Sequence, residues 1–193
     1  MLVFLDRQHV GKPNKWNDSG ATDEAGNLEV MLTARYIYWA EVRLRQLGID
    51  VCILSDGGYY ERHKRVNDYT RDRERQACYV ACHVNAGGGD YSVCFYDYRS
   101  TSAGKDLARE ISKAVKPIVG NSKSMECSHF DWTRNAFATI KSVRPPAICF
   151  EPFFIDRFEH SHLKTEAGLQ KIGFALADGI HRWFPSHDPE RSS

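Results

Sequence analysis

Short apolar runs alternate with amphipathic stretches along most of this chain. Five runs are rich in β-branched or aromatic residues and have the length of buried strands, at 1–5, 49–54, 79–84, 93–98 and 146–150. Between them, apolar residues recur with helical spacing. The clearest stripe runs from Leu28 to Leu47 and ends at Gly48, which suits the C′ position of a helix. Further helices are predicted at about 60–77, 103–115 and 163–184.

This order of elements predicts the fold class. Strands that alternate with helices favour an α/β single domain, built on a mostly parallel twisted sheet of about five or six strands with helices on both faces. The length of 193 residues fits one domain with a full core. Two stretches interrupt the pattern, 10–27 and 120–135, and we expect both to be loops that border a functional site.

Charge and composition argue against several classes of protein. The chain has 26 Lys and Arg residues against 25 Asp and Glu residues, and this net charge of +1 predicts no nucleic-acid partner. No apolar run approaches the roughly 18 residues of a membrane span, so no integral membrane segment is expected. The first residues reach Asp6 without the basic region of a signal peptide, which predicts synthesis in the cytoplasm. The six cysteines lie mostly in apolar runs and are expected to be free, buried thiols.

Residues with catalytic chemistry follow three of the predicted strands. His9 comes shortly after the first run, His83 after the third and Glu151 directly after the fifth, while Glu29 lies in the first turn of the long helix. Because ligands of open α/β sheets bind outside the carboxyl ends of the strands, these side chains are expected to converge. Two imidazoles and a carboxylate form a ligand set of catalytic zinc, and a second carboxylate can act as base and acid in amide hydrolysis.

Each of these residues also has a purely structural explanation. Glu29 could complement the helix dipole beside Asn27 as the N-cap, His9 could be an ordinary loop residue, and His83 could be a hydrogen-bonded core residue. Glu151 is harder to explain in this way, because a buried carboxylate without a partner is costly. The occurrence of all four residues at strand ends or at a helix start favours a functional site.

Five short motifs follow one another over most of the chain. They are Asp6-x-x-His9-x-Gly11, Asp18-Ser19-Gly20-Ala21, Gly26-x-x-Glu29, His83-x-Asn85-Ala86 and Pro146-Ala147-Ile148-x-x-Glu151-x-x-Phe154-Ile155. In this order they resemble the motifs of the zinc-dependent N-acetylmuramoyl-L-alanine amidases of the amidase-3 family. Arg7-Gln8 departs from the usual Pro-Gly, and Val10 replaces a glycine beside His9, so that glycine conformations are not open to this part of the loop.

The resemblance implies a function and a site. It implies one zinc ion (Zn2+) bound by His9, Glu29 and His83, with Glu151 as the catalytic residue. The reaction implied is hydrolysis of the amide bond between N-acetylmuramic acid and L-alanine, with peptidoglycan as the partner. The chain looks like a phage endolysin, which acts on the bacterial cell wall after release. The resemblance spans most of the chain, from Asp6 to about Asp156, and we expect 1–185 to be the amidase catalytic domain and 186–193 a C-terminal tail. The sequence leaves the oligomeric state open, and a monomer is expected.

Two other functions remain compatible with the sequence. A zinc carboxypeptidase or endopeptidase that acts on the stem peptides of peptidoglycan would use the same metal ligands. A non-catalytic module that binds the cell wall would keep a metal for stability only, which would leave Glu151 without a role. Analysis of the products released from cell walls separates these alternatives.

Several further residues are candidates for a role in the site. His129 or Asn85 could contribute to it, and Glu24 is a rival of Glu29 as a ligand. Cys78, Cys82 and His83 could hold a structural zinc ion only if their strand breaks, because alternate strand residues point to opposite faces. The charged segment 61–75 either forms a solvated helix face or attracts anionic wall polymers weakly. Aromatic residues that could contact glycan or peptide are Tyr59, Tyr60, His129, Phe130 and Trp132.

Overall fold

Strands and helices alternate along the chain as predicted. The computed structural model describes residues 1–11, 15, 17–72, 76–100 and 102–186. Within these residues the strands are β1 (Leu2–Arg7), β2 (Asp50–Leu54), β3 (Ala77–Cys82), β4 (Ser92–Asp97), β5 (Ser122–Cys127) and β6 (Ala147–Glu151). The α-helices are α1 (Glu29–Gln46), α2 (Tyr59–Tyr69), α3 (Ser102–Val119), α4 (Arg134–Ile140) and α5 (Glu166–Trp183). Most of the expected tail, 187–193, lies outside the described residues.

The strands form one sheet in the order β2-β1-β3-β6-β4-β5. β1 is parallel to β2 and β3, and β3 is parallel to β6. β4 pairs antiparallel with β6, with Val93 opposite Glu151, and β5 is parallel to β4. The prediction of a mostly parallel sheet is therefore confirmed. Because β4 and β5 are reversed, their carboxyl ends lie at the opposite end of the sheet from those of β1, β3 and β6.

Helices cover both faces of the sheet, as expected from the continuous apolar runs. Val3 and Leu5 of β1 point into a core that is completed by α1, α3 and α5. Phe4, between them, points to the opposite face and into a second core with α2 and α4. This alternation follows from the two-residue period of a strand. The sheet is thereby held between two helical layers, and its ends are left for loops.

The expectation that 120–135 is a loop is wrong. This stretch contains β5 and the first residues of α4. β5 reads SKSMEC, and most of its side chains are partly or fully exposed because β5 is the last strand of the sheet. A polar strand at a border lacks the apolar pattern by which strands are recognised.

Two predicted helix boundaries also differ from the structure. The second helix ends at Tyr69 rather than near 77, and the Thr70 hydroxyl donates to the Val66 carbonyl at 2.8 Å. Residues 73–75, with two of the basic side chains of the charged segment, lie outside the described residues. The long helix begins at Glu29, but Asn27 does not cap it, because the Asn27 amide groups donate to Asp23 instead.

The cysteines agree with the sequence prediction. All six are described and are free thiols; five are buried, and Cys52 is partly buried. Cys78 and Cys82 lie within the unbroken strand β3, which excludes the structural zinc site considered for them together with His83. In the described part of the chain, no helix combines the length and the apolar character that a membrane crossing requires.

Candidate active site

The loop after β1 places the His9 side chain at the carboxyl end of the sheet. His9 has a φ of 66°, in the left-handed region that a residue with a Cβ rarely adopts. Gly11, two residues later, also has a positive φ, and a Cβ there would lie 2.3 Å from the Ser55 carbonyl oxygen. The loop therefore turns sharply against the end of β2, even though residue 10, beside His9, is a valine and not a glycine.

Arg62 of α2 holds the backbone on both sides of His9. Its guanidinium group is fully buried and forms an ion pair with Asp6, which is also fully buried. The same group donates to the carbonyl of Arg7 at 2.8 Å and to the carbonyl of Val10. Since a guanidinium presents several donors in a rigid plane, one side chain fixes both arms of the turn. The strained conformation of His9 is thereby supported by its surroundings.

Asp18 orients the ring of His9. The Nδ1 atom of His9 lies 2.9 Å from Oδ1 of Asp18, which also accepts a hydrogen bond from the backbone of Gly20 at 3.1 Å. Because an ionised carboxylate only accepts hydrogen bonds, the contact with Asp18 places a hydrogen on Nδ1 of His9. Nε2 faces Oε1 of Glu29 at 3.3 Å.

Glu29 lies at the centre of the cluster. Its carboxylate is buried and accepts hydrogen bonds from the backbone of Ala21 at 2.9 Å and of Val84 at 3.0 Å. Burial acts to raise the pKa of Glu29, but hydrogen bonds with His83 and His9 outweigh it and hold the pKa well below its usual range. A Cβ at position 20 would approach Oε2 of Glu29 to 2.5 Å, so the loop can pass here only because residue 20 is glycine.

His83 reaches the same carboxylate from the end of β3. Its Nδ1 lies 2.9 Å from Oε1 of Glu29, and its ring stands nearly perpendicular to that of His9, with centroids 5.2 Å apart. The Tyr36 hydroxyl donates to the backbone carbonyl of His83 at 2.9 Å, and the backbone N–H of His83 donates to Phe150 on β6. The structure therefore brings His9, Glu29 and His83 together, with one potential ligand atom from each within 4.8 Å of the others.

His9, Glu29 and His83 line a cavity of about 470 Å³. Glu151, the last residue of β6, lines this cavity too. Burial raises the pKa of Glu151 to about 7; the nearby His83 lowers it and Glu29 raises it further. A carboxyl group with a pKa near neutrality can both accept and donate a proton under ordinary conditions. Asn85 and Tyr59 also line this cavity.

Two sequence candidates lie elsewhere. His129 follows β5, whose carboxyl end is at the opposite end of the sheet, and its ring contacts that of Phe130, with centroids 3.7 Å apart and an angle of 38° between the ring planes. The expectation that His129 contributes to the site is wrong, because the residues that follow β5 lie at the amino end of β6 and not at the end that carries Glu151. Glu24 is exposed and is not among the clustered residues.

Sequence reasoning missed two residues that support the cluster. Asp18 belongs to the motif Asp18-Ser19-Gly20-Ala21, but its contact with His9 was not predicted. The contact depends on the conformation of a loop, and a loop has no periodic pattern from which its conformation can be predicted. The ion pair of Arg62 with Asp6 joins residues 56 positions apart. A basic residue on the buried face of an amphipathic helix was the available signal, since arginine is rarely buried without a partner.

The chain matches the sequence profile described as N-acetylmuramoyl-L-alanine amidase over residues 3–182. It belongs to this family. The chain is therefore an enzyme that hydrolyses amide bonds of peptidoglycan. The matched range includes His9, Glu29, His83 and Glu151. No curated protein sequence matches the chain significantly.

Solved structures share the fold of this amidase. Cwp6 from Clostridium difficile has a TM-score of 0.79 and 22% identity, with 94% of this chain and 29% of Cwp6 covered, so the chain spans under a third of that protein. The N-acetylmuramoyl-L-alanine amidase AmiC2 of Nostoc punctiforme has a TM-score of 0.74 and 18% identity, with 95% and 96% covered. The catalytic domain of the CD27L endolysin, which targets Clostridium difficile, has a TM-score of 0.58 and 17% identity, with 93% and 96% covered.

Proposed function

We propose that this amidase is zinc-dependent, with His9, Glu29 and His83 as the metal ligands and Glu151 as the catalytic residue. The bond cleaved is the amide that joins N-acetylmuramic acid to the L-alanine of the stem peptide. The observation that carries the proposal is the convergence of two imidazoles and a carboxylate on one point beside a second carboxylate whose pKa is near neutrality.

The distances from the Glu29 carboxylate to the two imidazoles suit a small tetrahedral cation. Two ligand atoms that are each about 2.0–2.1 Å from a tetrahedral zinc ion lie ~3.3 Å apart. Oε1 of Glu29 is 3.3 Å from Nε2 of His9 and 2.9 Å from Nδ1 of His83. Two histidines and one glutamate leave a fourth coordination position for water or substrate, which is typical of catalytic rather than structural zinc.

The chain's own residues supply the proton transfers. When bound, zinc lowers the pKa of a coordinated water molecule and polarises the carbonyl of the scissile amide. Glu151 accepts a proton from the attacking water and later donates it to the nitrogen of the departing peptide. Asp18 keeps the hydrogen of His9 on Nδ1, so that Nε2 stays available.

Metal and product analysis test this proposal. The purified protein should contain about one zinc ion, lose activity with a chelator and regain it with zinc. Digested cell walls should release new amino groups on L-alanine without new reducing sugar ends. New peptide termini elsewhere would indicate a peptidase instead. A Glu151→Ala variant that folds, binds zinc and cleaves at the parental rate would refute the role of Glu151.

We also propose that the enzyme acts on the bacterial cell wall as an endolysin. Its similarity to the CD27L catalytic domain over nearly the full length of both chains supports this role. Purified protein added to intact cell walls should lower their turbidity. Cleavage of soluble muropeptides without any effect on intact walls would contradict it.

A further inference from the structure

The chain beyond β3 continues to pair with the segment that follows β6. The backbone N–H of Asn85 donates to the carbonyl of Phe153 at 2.9 Å, and the carbonyl of Asn85 accepts from the backbone N–H of Ile155 at 2.8 Å. Residues two apart in an extended segment point to the same side. Val84 points into the core. His83 and Asn85 therefore face away from that core, and both line the cavity of about 470 Å³, which we call the catalytic cavity.

The side-chain amide of Asn85 is oriented by the next residue. Its Oδ1 accepts a hydrogen bond from the backbone N–H of Ala86 at 2.8 Å. Because a backbone N–H only donates, the atom that faces it is the oxygen, and the nitrogen lies on the other side of the amide group. No described residue accepts a hydrogen bond from Nδ2 of Asn85. Since the backbone groups of Asn85 are paired as well, the two hydrogens on Nδ2 are what this residue offers to a ligand.

The loop that follows Asn85 is held in place by Asp156. The backbone N–H of Gly87 donates to the Asp156 carboxylate at 2.8 Å, and that of Gly88 contacts both carboxylate oxygens at 3.1 Å. Burial acts to raise the pKa of Asp156, but these hydrogen bonds outweigh it and hold the pKa below its ordinary value. Asn85 therefore lies between a paired segment and a fixed loop, so its amide group is positioned before a substrate binds.

The substrate supplies acceptors that suit an amide N–H. The amide bonds of peptidoglycan carry carbonyl oxygens, and an N–H donor pairs with such an oxygen at about 2.9 Å. Two extended residues span ~6.6 Å, so Asn85 is within one substrate residue of His83 and of the cluster that His83 forms with Glu29. An oxygen bound by Asn85 therefore belongs to the part of the substrate around the scissile bond.

We propose that Asn85 binds the substrate, with Nδ2 donating a hydrogen bond to a carbonyl oxygen beside or within the scissile amide. This inference rests on the proposed function, because it takes the cavity beside Glu151 as the place of cleavage. Three carbonyl groups share the required chemistry: that of the scissile amide, that of the L-alanine and that of the N-acetyl group on the sugar. The kinetic pattern distinguishes them.

Asn85→Asp tests the proposal, because it keeps an oxygen for Ala86 and removes the donor. With a soluble N-acetylmuramoyl tetrapeptide, a lost bond to the L-alanine or N-acetyl carbonyl should raise KM about three- to tenfold. A lost bond to the scissile carbonyl should instead lower kcat at least as much. Asn135→Asp adds the same charge to the wall of the same cavity and is the matched control, whose effect Asn85→Asp should exceed by that factor.

A substrate without the N-acetyl group identifies the acceptor further. If Asn85 binds the N-acetyl carbonyl, the parent should lose about three- to tenfold in KM with this substrate, and Asn85→Asp should lose nothing more. If the acceptor is one of the other two carbonyls, Asn85→Asp should impair the cleavage of both substrates equally.

A purely structural role of Asn85 predicts a different pattern. Asn85→Ala removes both the donor and the oxygen that binds Ala86. If Asn85 only ordered the loop, the alanine variant would be impaired while Asn85→Asp behaved like the Asn135→Asp control, and this result would overturn the proposal. The thermal unfolding and the zinc content of Asn85→Asp should match those of the parent.

Binding without turnover separates this proposal from the proposed function. In a Glu151→Gln background, calorimetry with the same tetrapeptide should show about three- to tenfold weaker binding once Asn85→Asp is added. If the Glu151→Gln protein still cleaves the substrate, the proposed role of Glu151 fails, whereas the weaker binding still supports Asn85. Equal affinities, together with a KM and a kcat that match those of the charge control, would overturn the assignment of Asn85.

Discussion

Replacement of Glu151 by glutamine should stabilise the metal-free protein while it removes catalysis. Burial at the end of β6 raises the pKa of this carboxyl group from an ordinary value of 4.5 to about 7. The folded protein therefore holds the proton more tightly than the unfolded chain does. As the pH rises from 4.5 to about 7, the unfolded chain releases its proton first, so the stability of the fold decreases across this window.

The size of the effect follows from the two pKa values. Each pH unit between them corresponds to about 1.4 kcal/mol, which gives about 3 kcal/mol in total once the pH exceeds 7. Glutamine has nearly the same shape and does not ionise. The Glu151→Gln variant should therefore be about 3 kcal/mol more stable than the parent at high pH, and about equally stable near pH 4.5. For a chain of this size, that corresponds to roughly 6–12 °C in Tm.

Urea unfolding in the presence of a chelator measures this difference across the pH range. Circular dichroism follows the transition, and Glu24→Gln, at an exposed glutamate, controls for the general loss of one negative charge. A difference in stability that does not change with pH would show that the Glu151 carboxylate is well solvated. A glutamine variant less stable than the parent at high pH would refute the reasoning directly. The zinc-loaded variant should be inactive throughout.

Three other substitutions probe the support of the cluster. Asp18→Asn should weaken zinc binding about 10–100-fold with the fold intact, which competition with a chelating dye measures. Arg62→Met should cost about 3–5 kcal/mol in urea unfolding, because it leaves the Asp6 carboxylate buried without its partner, whereas the exposed Arg65→Met should cost about 1 kcal/mol or less. Gly20→Ala should lower zinc affinity, measured by equilibrium dialysis, because its Cβ would collide with Glu29; an unchanged affinity would mean that the loop moves freely.

The local pattern of the sequence was sufficient to predict most of the fold. Apolar runs and helical stripes predicted five of the strands and the long helix that ends before Gly48, whose φ is 74°. β5 could not be found in this way, because only Met125 and Cys127 of its six residues pack against the core and the other four are polar. The reversal of β4 was also hidden, since the direction of a strand is decided by its neighbours and not by its own residues.

The candidate site was predictable to the extent that it follows strand ends. His9, His83 and Glu151 were brought together by the rule that parallel strands present their carboxyl ends at the same end of a sheet. His129 was misplaced for a different reason: it precedes Glu151 in the sequence and was expected near the cleft, but it follows the reversed strand β5 and lies at the other end of the sheet. The Arg62–Asp6 pair joins distant parts of the chain, so it could not be predicted from the spacing of residues in the sequence.

The backbone hydrogen bonds to the Glu29 carboxylate affect which cation the site can bind. Ala21 binds Oε2 and Val84 binds Oε1, so the carboxylate cannot rotate to offer both oxygens equally to one ion. Calcium favours six to eight oxygen donors and often takes a carboxylate through both of them. A rigid glutamate that presents a single oxygen between two imidazoles therefore gives the site a low intrinsic affinity for such a large, hard ion, whatever the concentrations of the competing cations.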